Sequence, residues 1–277
     1  MTFAVSIFRP PNYVFTRAFD DVAATVYHGL RALGHDAIAT TQLATPGRRT
    51  ILFGANELPK FGLAASALAP GTIIYNLEQF AQSSRYANDA YLQLLRAFPV
   101  WDYSRRNIEW LRGRGIDARH VPIGWMPEIS RIAPAATQDI DILFYGCVNE
   151  RRKHILAELY QRGLAVVHRF GVYGEERDAL IARAKVVLNL HFYETKIFEV
   201  VRVSYLLSNS ACVVSEDGLD PDEAEFAGGL AFSPYESLVA TCVGLQGDER
   251  RRRELAAAGR RLMEARRTDR FLRDALG

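Results

Sequence analysis

Strand-like and helix-like periodicities alternate along this chain, and the alternation lapses only once. Short apolar runs (FAVSI, DAIAT, TILFG, GTIIYN, IDILFYG, AVVHRFG, VVLNL, ACVVS) are separated by segments whose apolar residues recur at helical spacing. Such an order predicts parallel sheets covered by helices, because strands that run in one direction need a long crossover between them. The lapse falls at GWMPEISRIAPAATQD, where prolines, small residues and the loss of any period mark a linker or domain boundary. The expected fold class is α/β, with two Rossmann-like doubly wound domains facing a cleft. They cover residues 1–124 and residues 140–277 (with the C-terminal helices), joined by a linker over 125–139. Ligands of such sheets bind beyond the carboxyl ends of the strands, so the loops that follow strands are where functional residues belong.

In the first half a helix is expected over residues 18–33, carrying Phe19, Val22, Ala23, Val26, Leu30 and Leu33, with Gly34 ending it. LAASAL, residues 88–97 and RRNIEWLRGRG read as further helices. The second half centres on HFYETKIFEVVRVSYLLSNSACVVSE. Here the strand VVLNL empties into a polar loop, and a helix over residues 196–207 precedes the strand ACVVS. That helix is apolar on most faces yet carries Lys196, Glu199 and Arg202 at spacings of three, along one stripe. Two readings apply: a local Glu199–Arg202 pair, or a cleft-facing stripe beside a helix N-terminus, which is a natural anion site.

Composition narrows the function classes. Of 277 residues 49% are hydrophobic and 24% charged, the balance of a soluble globular protein, and a net charge of +2 gives no pull towards nucleic acid. Cys147, Cys212 and Cys242 are few and widely spaced, which suits a reducing compartment. MTFAVSIFRPP shows no signal-peptide pattern and no run approaches a membrane span, so a cytoplasmic location is expected. The C-terminal arginines, Arg250 to Arg253 and onward, read either as a basic helix for peripheral contact with the inner face of a membrane or as a solvated face. The interleaved acids Glu254, Glu264, Asp269 and Asp274 favour the solvated face.

Candidate site residues follow from position. In GCVNERRKH, Gly146 allows a sharp turn, Asn149 can cap a helix, and Arg151, Arg152 and Lys153 fill its first turn. Cations there oppose the helix dipole unless an anion binds beside them. In HFYETK, His191, Tyr193, Glu194 and Lys196 present polar groups after a strand. FGANELP and YNLEQF bring Asn56, Glu57, Asn76 and Glu78 to strand ends, with Glu78 preferred as a general base. No G-x-G-x-x-G or G-x-x-x-x-G-K-[ST] occurs, which argues against a nicotinamide dehydrogenase and a P-loop NTPase. Asp139 with Asp141, and Asp220 with Asp222, form two D-x-D triplets. The first precedes its strand and the second reads as a turn and helix cap, so no metal is expected at either.

DILFYGCVNERRKHIL, ERDALIARAKVVLNLHFYETKIFEVVRVSYLLSNSACVVSED and GDERRRRELAAAGRRLMEA, in that order and spacing, resemble the C-terminal domain of a glycosyltransferase with the GT-B fold. The resemblance is to glycosyltransferase family 1 or 4, nearer the short bacterial members. It implies a nucleoside diphosphate sugar as co-substrate, held mainly by the second domain, a hydroxyl-bearing acceptor (glycan, lipid or protein) held by the first, and no metal or other cofactor. It places Arg152, Lys153, Lys196 and Arg202 at the diphosphate. Combined with the residue-level reading, it gives Gly146 at the diphosphate too, Glu199 at ribose or sugar hydroxyls, His191 and Tyr193 at the sugar or its β-phosphate, and His191 and Glu78 as the catalytic candidates. One departure is that Tyr205 stands where the family carries the second of two glutamates. The function expected is glycosyl transfer in glycan or surface-polymer biosynthesis. The alternatives are a non-catalytic GT-B-like nucleotide-sugar-binding or scaffold protein, and a two-lobed solute-binding protein, which the missing export signal disfavours.

Overall fold

The apolar runs form strands and the amphipathic segments between them form helices. The structure is a computed structural model and describes residues 1–80, 87–193, 196–218 and 220–277. It divides into two compact units, Met1–Glu128 with Arg267–Gly277, and Ile129–Arg266.

In the first unit six strands, β1 (Thr2–Ile7), β2 (Asp36–Thr40), β3 (Arg49–Phe53), β4 (Ile73–Asn76), β5 (Val100–Asp102) and β6 (Ala118–His120), pair in the order β2-β1-β3-β4-β5-β6. Every pairing is parallel. Their near-continuous apolar character is what burial on both faces demands, and Phe3, Ala4, Ile51, Leu52, Phe53 and Ile74 are all fully buried. Helices α1 (Asp20–Ala32), α2 (Asp89–Ala97) and α3 (Arg105–Arg112) alternate with them. Asn88 and Ser104 cap α2 and α3 through their side-chain oxygens. On one face Tyr91, Leu92 and Leu95 of α2 and Ile108 and Leu111 of α3 join Leu52, Ile74 and Val100 in one core.

The second unit repeats the plan with β7 (Ile140–Tyr145), β8 (Val166–Arg169), β9 (Ala184–Asn189), β10 (Val213–Glu216) and β11 (Ala231–Ser233), in the order β11-β10-β9-β7-β8. These pairings too are parallel. Helices α4 (Glu150–Gln161), α5 (Gly174–Arg183), α6 (Val200–Ser208), α7 (Leu238–Gly247) and α8 (Glu249–Ala265) cover them, and α9 (Thr268–Leu276) is the last helix of the chain.

Three expectations are corrected. Residues 267–277 do not belong with the second unit, because α9 packs on α1. A Cβ at Gly29 would lie 2.8 Å from Leu272 Cδ1 and 3.0 Å from Thr268 Cγ2, and Leu272 is fully buried. Residues 125–139 do hold the boundary between the units, at Glu128 and Ile129, but as packed chain rather than an open linker. Trp125 O accepts from Thr268 N within the first unit, while Asn209 Oδ1 accepts from the backbone of Arg131 and Ile132 within the second. LAASAL forms only a single 3₁₀ turn, Ala65–Ala67. The arginine-rich stretch is α8, where Arg250–Glu254 and Arg260–Glu264 are ion pairs one turn apart, and Arg253 pairs with Glu249. Among the described residues no helix is long and apolar enough to cross a membrane.

Each strand order reverses once. In the first unit the reversal lies between β1 and β3, in the second between β7 and β9. The loops on either side of such a reversal leave towards opposite faces of the sheet and open a crevice at its carboxyl edge.

Candidate functional site

The crevice of the second unit is built from the loops after β7 and β9. β7 ends at Gly146, whose φ of +139° is open to glycine and strained for other residues. A side chain there would also collide: its Cβ would sit 3.0 Å from Arg202 Nη2 and 3.9 Å from Arg152 Nη1. Two guanidinium groups therefore converge on one stretch of bare backbone. α4 starts just beyond, with Asn149 as its cap accepting from Arg152 N at 3.0 Å.

Arg152 is 3% exposed and binds the two loops together. It donates to Cys147 O at 2.7 Å, to His191 O at 3.3 Å and to Leu190 O, and lies 3.8 Å from Glu199. Burial, and after it the neighbouring charge of Arg202, pull its pKa down to about 10. Arg202 reaches the same place from the first turn of α6. It donates to Asn189 Oδ1 at 3.1 Å and lies over the Tyr145 ring at 5.2 Å.

Below these cations is a buried acidic layer. Glu216, at the end of β10, is fully buried and accepts from both terminal nitrogens of Arg151, from Lys196 Nζ at 3.0 Å and from His191 N at 3.3 Å. Burial pushes its pKa up, but the Arg151 and Lys196 bonds outweigh that and hold the carboxyl below its usual range. His191 is 1% exposed, with Nδ1 3.0 Å from Glu199 Oε2 and Nε2 3.9 Å from Glu223 Oε1. Neither ring nitrogen makes a well-aligned hydrogen bond among the described residues, so the contact with Glu199 is an ion pair by proximity. Burial alone would lower the His191 pKa. Glu199, with Glu216 and Glu223 behind it, reverses the sign and raises it. Glu199 is lowered in return, since His191, Arg202 and Arg152 outweigh its burial, and burial raises Glu223. Asn189 completes the cluster by donating to Glu199 Oε2 at 3.1 Å and to Ser215 Oγ at 3.0 Å.

The fold thus brings together Gly146, Arg152, His191, Lys196, Glu199 and Arg202 from the sequence-derived set. Lys196 is placed differently from expectation. The helix begins at Val200, not at Lys196, whose φ of +46° is left-handed. The stripe of three charges is therefore not a helical stripe, and Lys196 turns to Glu216 instead. Tyr193 lies on the same loop, its carbonyl accepting from Lys196 N, whereas Lys153 stands apart, 57% exposed and paired with Glu150 at 2.7 Å. Glu194 lies outside the described residues. Glu78 belongs to the first unit, where its Oε1 accepts from Asn56 Nδ2 at 3.0 Å. Close by is a buried network in which Asn76 and Asn107 both donate to Asp102. Tyr205 packs under Arg177, 4.0 Å from its guanidinium, and donates to Asp178 at 2.8 Å. Asp139 pairs with Arg183, Asp141 with Lys185, and Asp220 caps a 3₁₀ turn.

Sequence reasoning passed over Glu216, Glu223 and Asn189. The signal for Glu216 was a carboxylate closing the otherwise apolar strand end CVVSE.

No protein-family model matches the chain. Two curated relatives come from Acanthamoeba polyphaga mimivirus. Uncharacterized protein L140 is 27% identical over 177 residues, 61% of this chain and 57% of that protein. Uncharacterized protein L138 is 28% identical over 174 residues, 60% of this chain and 19% of that protein. The match thus spans little more than half of one relative's length and a smaller part of the other's. Solved structures match along the whole chain. The DNA-modifying enzyme β-glucosyltransferase, studied with and without its substrate uridine diphosphoglucose, aligns with a TM-score of 0.62 at 11% identity, covering 100% of this chain and 98% of that one. T4 phage BGT in complex with its UDP-glucose substrate gives 0.61 at 12% identity, with the same coverage. HepE from Anabaena in complex with UDP gives 0.59 at 10% identity, covering 100% and 99%. The fold is GT-B. Both α/β units of this chain are accounted for by it, and the Gly146 crevice sits at the switch point of the second GT-B unit.

Proposed function

We propose that this chain is a glycosyltransferase that moves a sugar from a nucleoside diphosphate donor to a hydroxyl acceptor, in glycan or surface-polymer assembly. The observation that carries the reading is the convergence of Arg152 and Arg202 on the glycine backbone at Gly146, at the switch point between β7 and β9. Two guanidiniums side by side repel one another, and an anion between them and the start of α4 relieves that repulsion. A diphosphate fits this chemistry, and the charge that develops on it as the glycosidic bond breaks is met by groups already in place. In this reading the guanidiniums take the part a metal ion would otherwise play, and activity persists in a chelator. Glu199 accepts from ribose or sugar hydroxyls. His191, 1% exposed, acts through Glu199 by fixing its charge and orientation rather than on a reacting atom. Glu78, at the carboxyl end of β4, is the general base, and Glu78→Gln lowers kcat by about 10²–10⁴-fold. UDP is the first donor to test, because solved structures of the same fold hold UDP or UDP-glucose.

The test is a thermal-shift screen against UDP, GDP, CDP, ADP, dTDP and their sugars. A ligand at about 100 times its Kd stabilises the fold by about 2.7 kcal/mol. The expected result is one responsive nucleotide whose shift is lost in Arg202→Ala, followed by nucleotide release when acceptor is added. No shift from any nucleotide at millimolar concentration overturns the donor site. The pairing of Arg151 and Lys196 with Glu216 favours a second reading, a non-catalytic nucleotide-sugar binder, since those cations are already satisfied within the protein. Binding without nucleotide release across an acceptor panel selects that reading.

A further inference from the structure

A concavity of about 290 Å³ lies at the amino-terminal edge of the first sheet, opposite the carboxyl edge where its crevice opens. The starts of four parallel strands build it. Arg49 opens β3, Ile73 opens β4, Pro99 and Val100 lead into β5, and Asp117 precedes β6, which carries Arg119. Ala275 and Leu276, at the end of α9, close one side. The floor is apolar, with Ile73 1% exposed and Val100 and Trp101 each 3%. Trp101 and Arg119 are cross-strand partners in the β5–β6 ladder. Since β4 and β5 separate β3 from β6, the backbones carrying Arg49 and Arg119 stand about 14 Å apart. The two arginines therefore enter the concavity from opposite sides of Ile73 and Trp101.

Three charged side chains line this concavity, and none of them enters an ion pair among the described residues. Arg49 Nε donates to Gly71 O at 3.2 Å, and Arg119 Nη1 donates to Ala275 O in the last turn of α9. Each bond fixes its guanidinium while using one of five donors. Arg48, one residue away, is by contrast paired with Asp36 at 2.7 Å. Arg49, Asp117 and Arg119 are all exposed, so a ligand has access to them. On a flat surface water satisfies such charges. Above an apolar floor in a hollow their field is focused, and a molecule of complementary charge is drawn in.

The pattern of charge narrows the ligand. Guanidiniums bind carboxylates through two parallel hydrogen bonds, so two of them call for two carboxylates. Asp117 opposes a plain dianion and calls for a cation on the same molecule. A volume at the lower end of ligand sites admits only a short carbon frame. A nucleic acid strand needs a track of cations along a groove, which two arginines and a carboxylate in one small hollow do not provide.

We propose that this concavity binds a short amino dicarboxylate, its carboxylates on Arg49 and Arg119 and its ammonium on Asp117. Because Arg119 is tied to Ala275, the ligand joins the strand starts to α9. The site lies at the sheet edge away from the crevice, so the inference does not depend on the proposed function.

The full chain is titrated by calorimetry with L-aspartate and L-glutamate, with succinate and glutarate as counterparts that lack the ammonium, and with inorganic phosphate. The expected result is saturable binding of one amino dicarboxylate, at least tenfold tighter than its counterpart or phosphate. Arg49→Gln and Arg119→Gln each weaken it at least tenfold, and Asp117→Asn reduces it to the affinity of the counterpart. Hydrogen exchange of the unaltered protein slows at β6 and α9 when the ligand is added, which locates the site even if a glutamine variant fails to fold. No binding of either amino acid at millimolar concentration overturns the proposal, as does binding that the three variants leave unchanged. Protection confined to other segments overturns it too. So does phosphate or the counterpart bound as tightly as the amino acid, because Asp117 is then not used.

Discussion

Glu216 shows how much a single side chain can organise. Fully buried, it remains an anion because two cations and a backbone N–H converge on it. Arg151 and Lys196 keep about a third of their side chains in water, so losing the carboxylate costs less than breaking a wholly buried pair. We expect Glu216→Ala to destabilise the protein by about 1.5–3 kcal/mol in urea unfolding. The pH dependence follows from the signs. Glu199 and Glu216 are lowered in the fold, so their contributions are present above the ordinary carboxylate range near pH 4.5 and are lost as pH falls through the lowered values. His191 is raised, so its contribution is complete below pH 6.5 and is lost as pH rises through the raised value. Glu223, raised by burial, also loses its contribution as pH rises. Stability measured against pH should therefore decline as pH rises above 6.5 through the raised His191 value, and His191→Gln should flatten that decline. An unchanged decline above pH 6.5 in His191→Gln would count against an imidazolium at this position. None of this pairing was legible from spacing. His191 and Glu199 share the loop between β9 and α6, while Glu216 and Glu223 come from two other segments, and only folding decides which carboxylate faces the ring.

At the scale of elements, strands and most helices follow from local pattern, and the exceptions have local causes imposed from outside. KIFEVVRVSYLL reads as one helix from Lys196, yet helical backbone begins only at Val200. Helix propensity across those four residues is outweighed by the Lys196–Glu216 pair and by Phe198 N donating to Asp220, which hold the loop open. Gly218 is the tight point. A Cβ there would lie 2.7 Å from Lys196 O and 2.9 Å from His191 Nε2, and would clash with Glu223 Oε1. Gly218→Ala should cost about 1–3 kcal/mol and weaken nucleotide binding by displacing Glu199's partner. Calorimetric unfolding and nucleotide titration of this one variant check both, and a neutral substitution would show that the three segments are not clasped. Gly259 plays the corresponding part for α8, where a Cβ would lie 2.6 Å from Gly229 O and 2.7 Å from Leu207 Cδ2.

For the whole molecule, the last helix is the informative element. Its sequence follows α8 without a break that composition could reveal, yet it completes the first unit through Gly29 and Leu272. Removing residues 267–277 uncovers the α1 face around Gly29 and Leu30. It should therefore raise the hydrogen exchange of β1 and α1 while leaving β7 and β9 protected, an outcome that assigning 140–277 to a single domain does not predict. Taken alone, the sequence determined the α/β alternation, the two parallel sheets and the loops in which functional residues lie, because strand and helix periodicities are local properties of the chain. Tertiary structure decided the ownership of α9, the late start of α6 and the division of the cations. Arg151 and Lys196 go to Glu216, and Arg152 and Arg202 converge on Gly146. The physical reason is that burial and charge pairing are settled between segments far apart in sequence, where the cost of an unpaired buried ion outweighs any local preference.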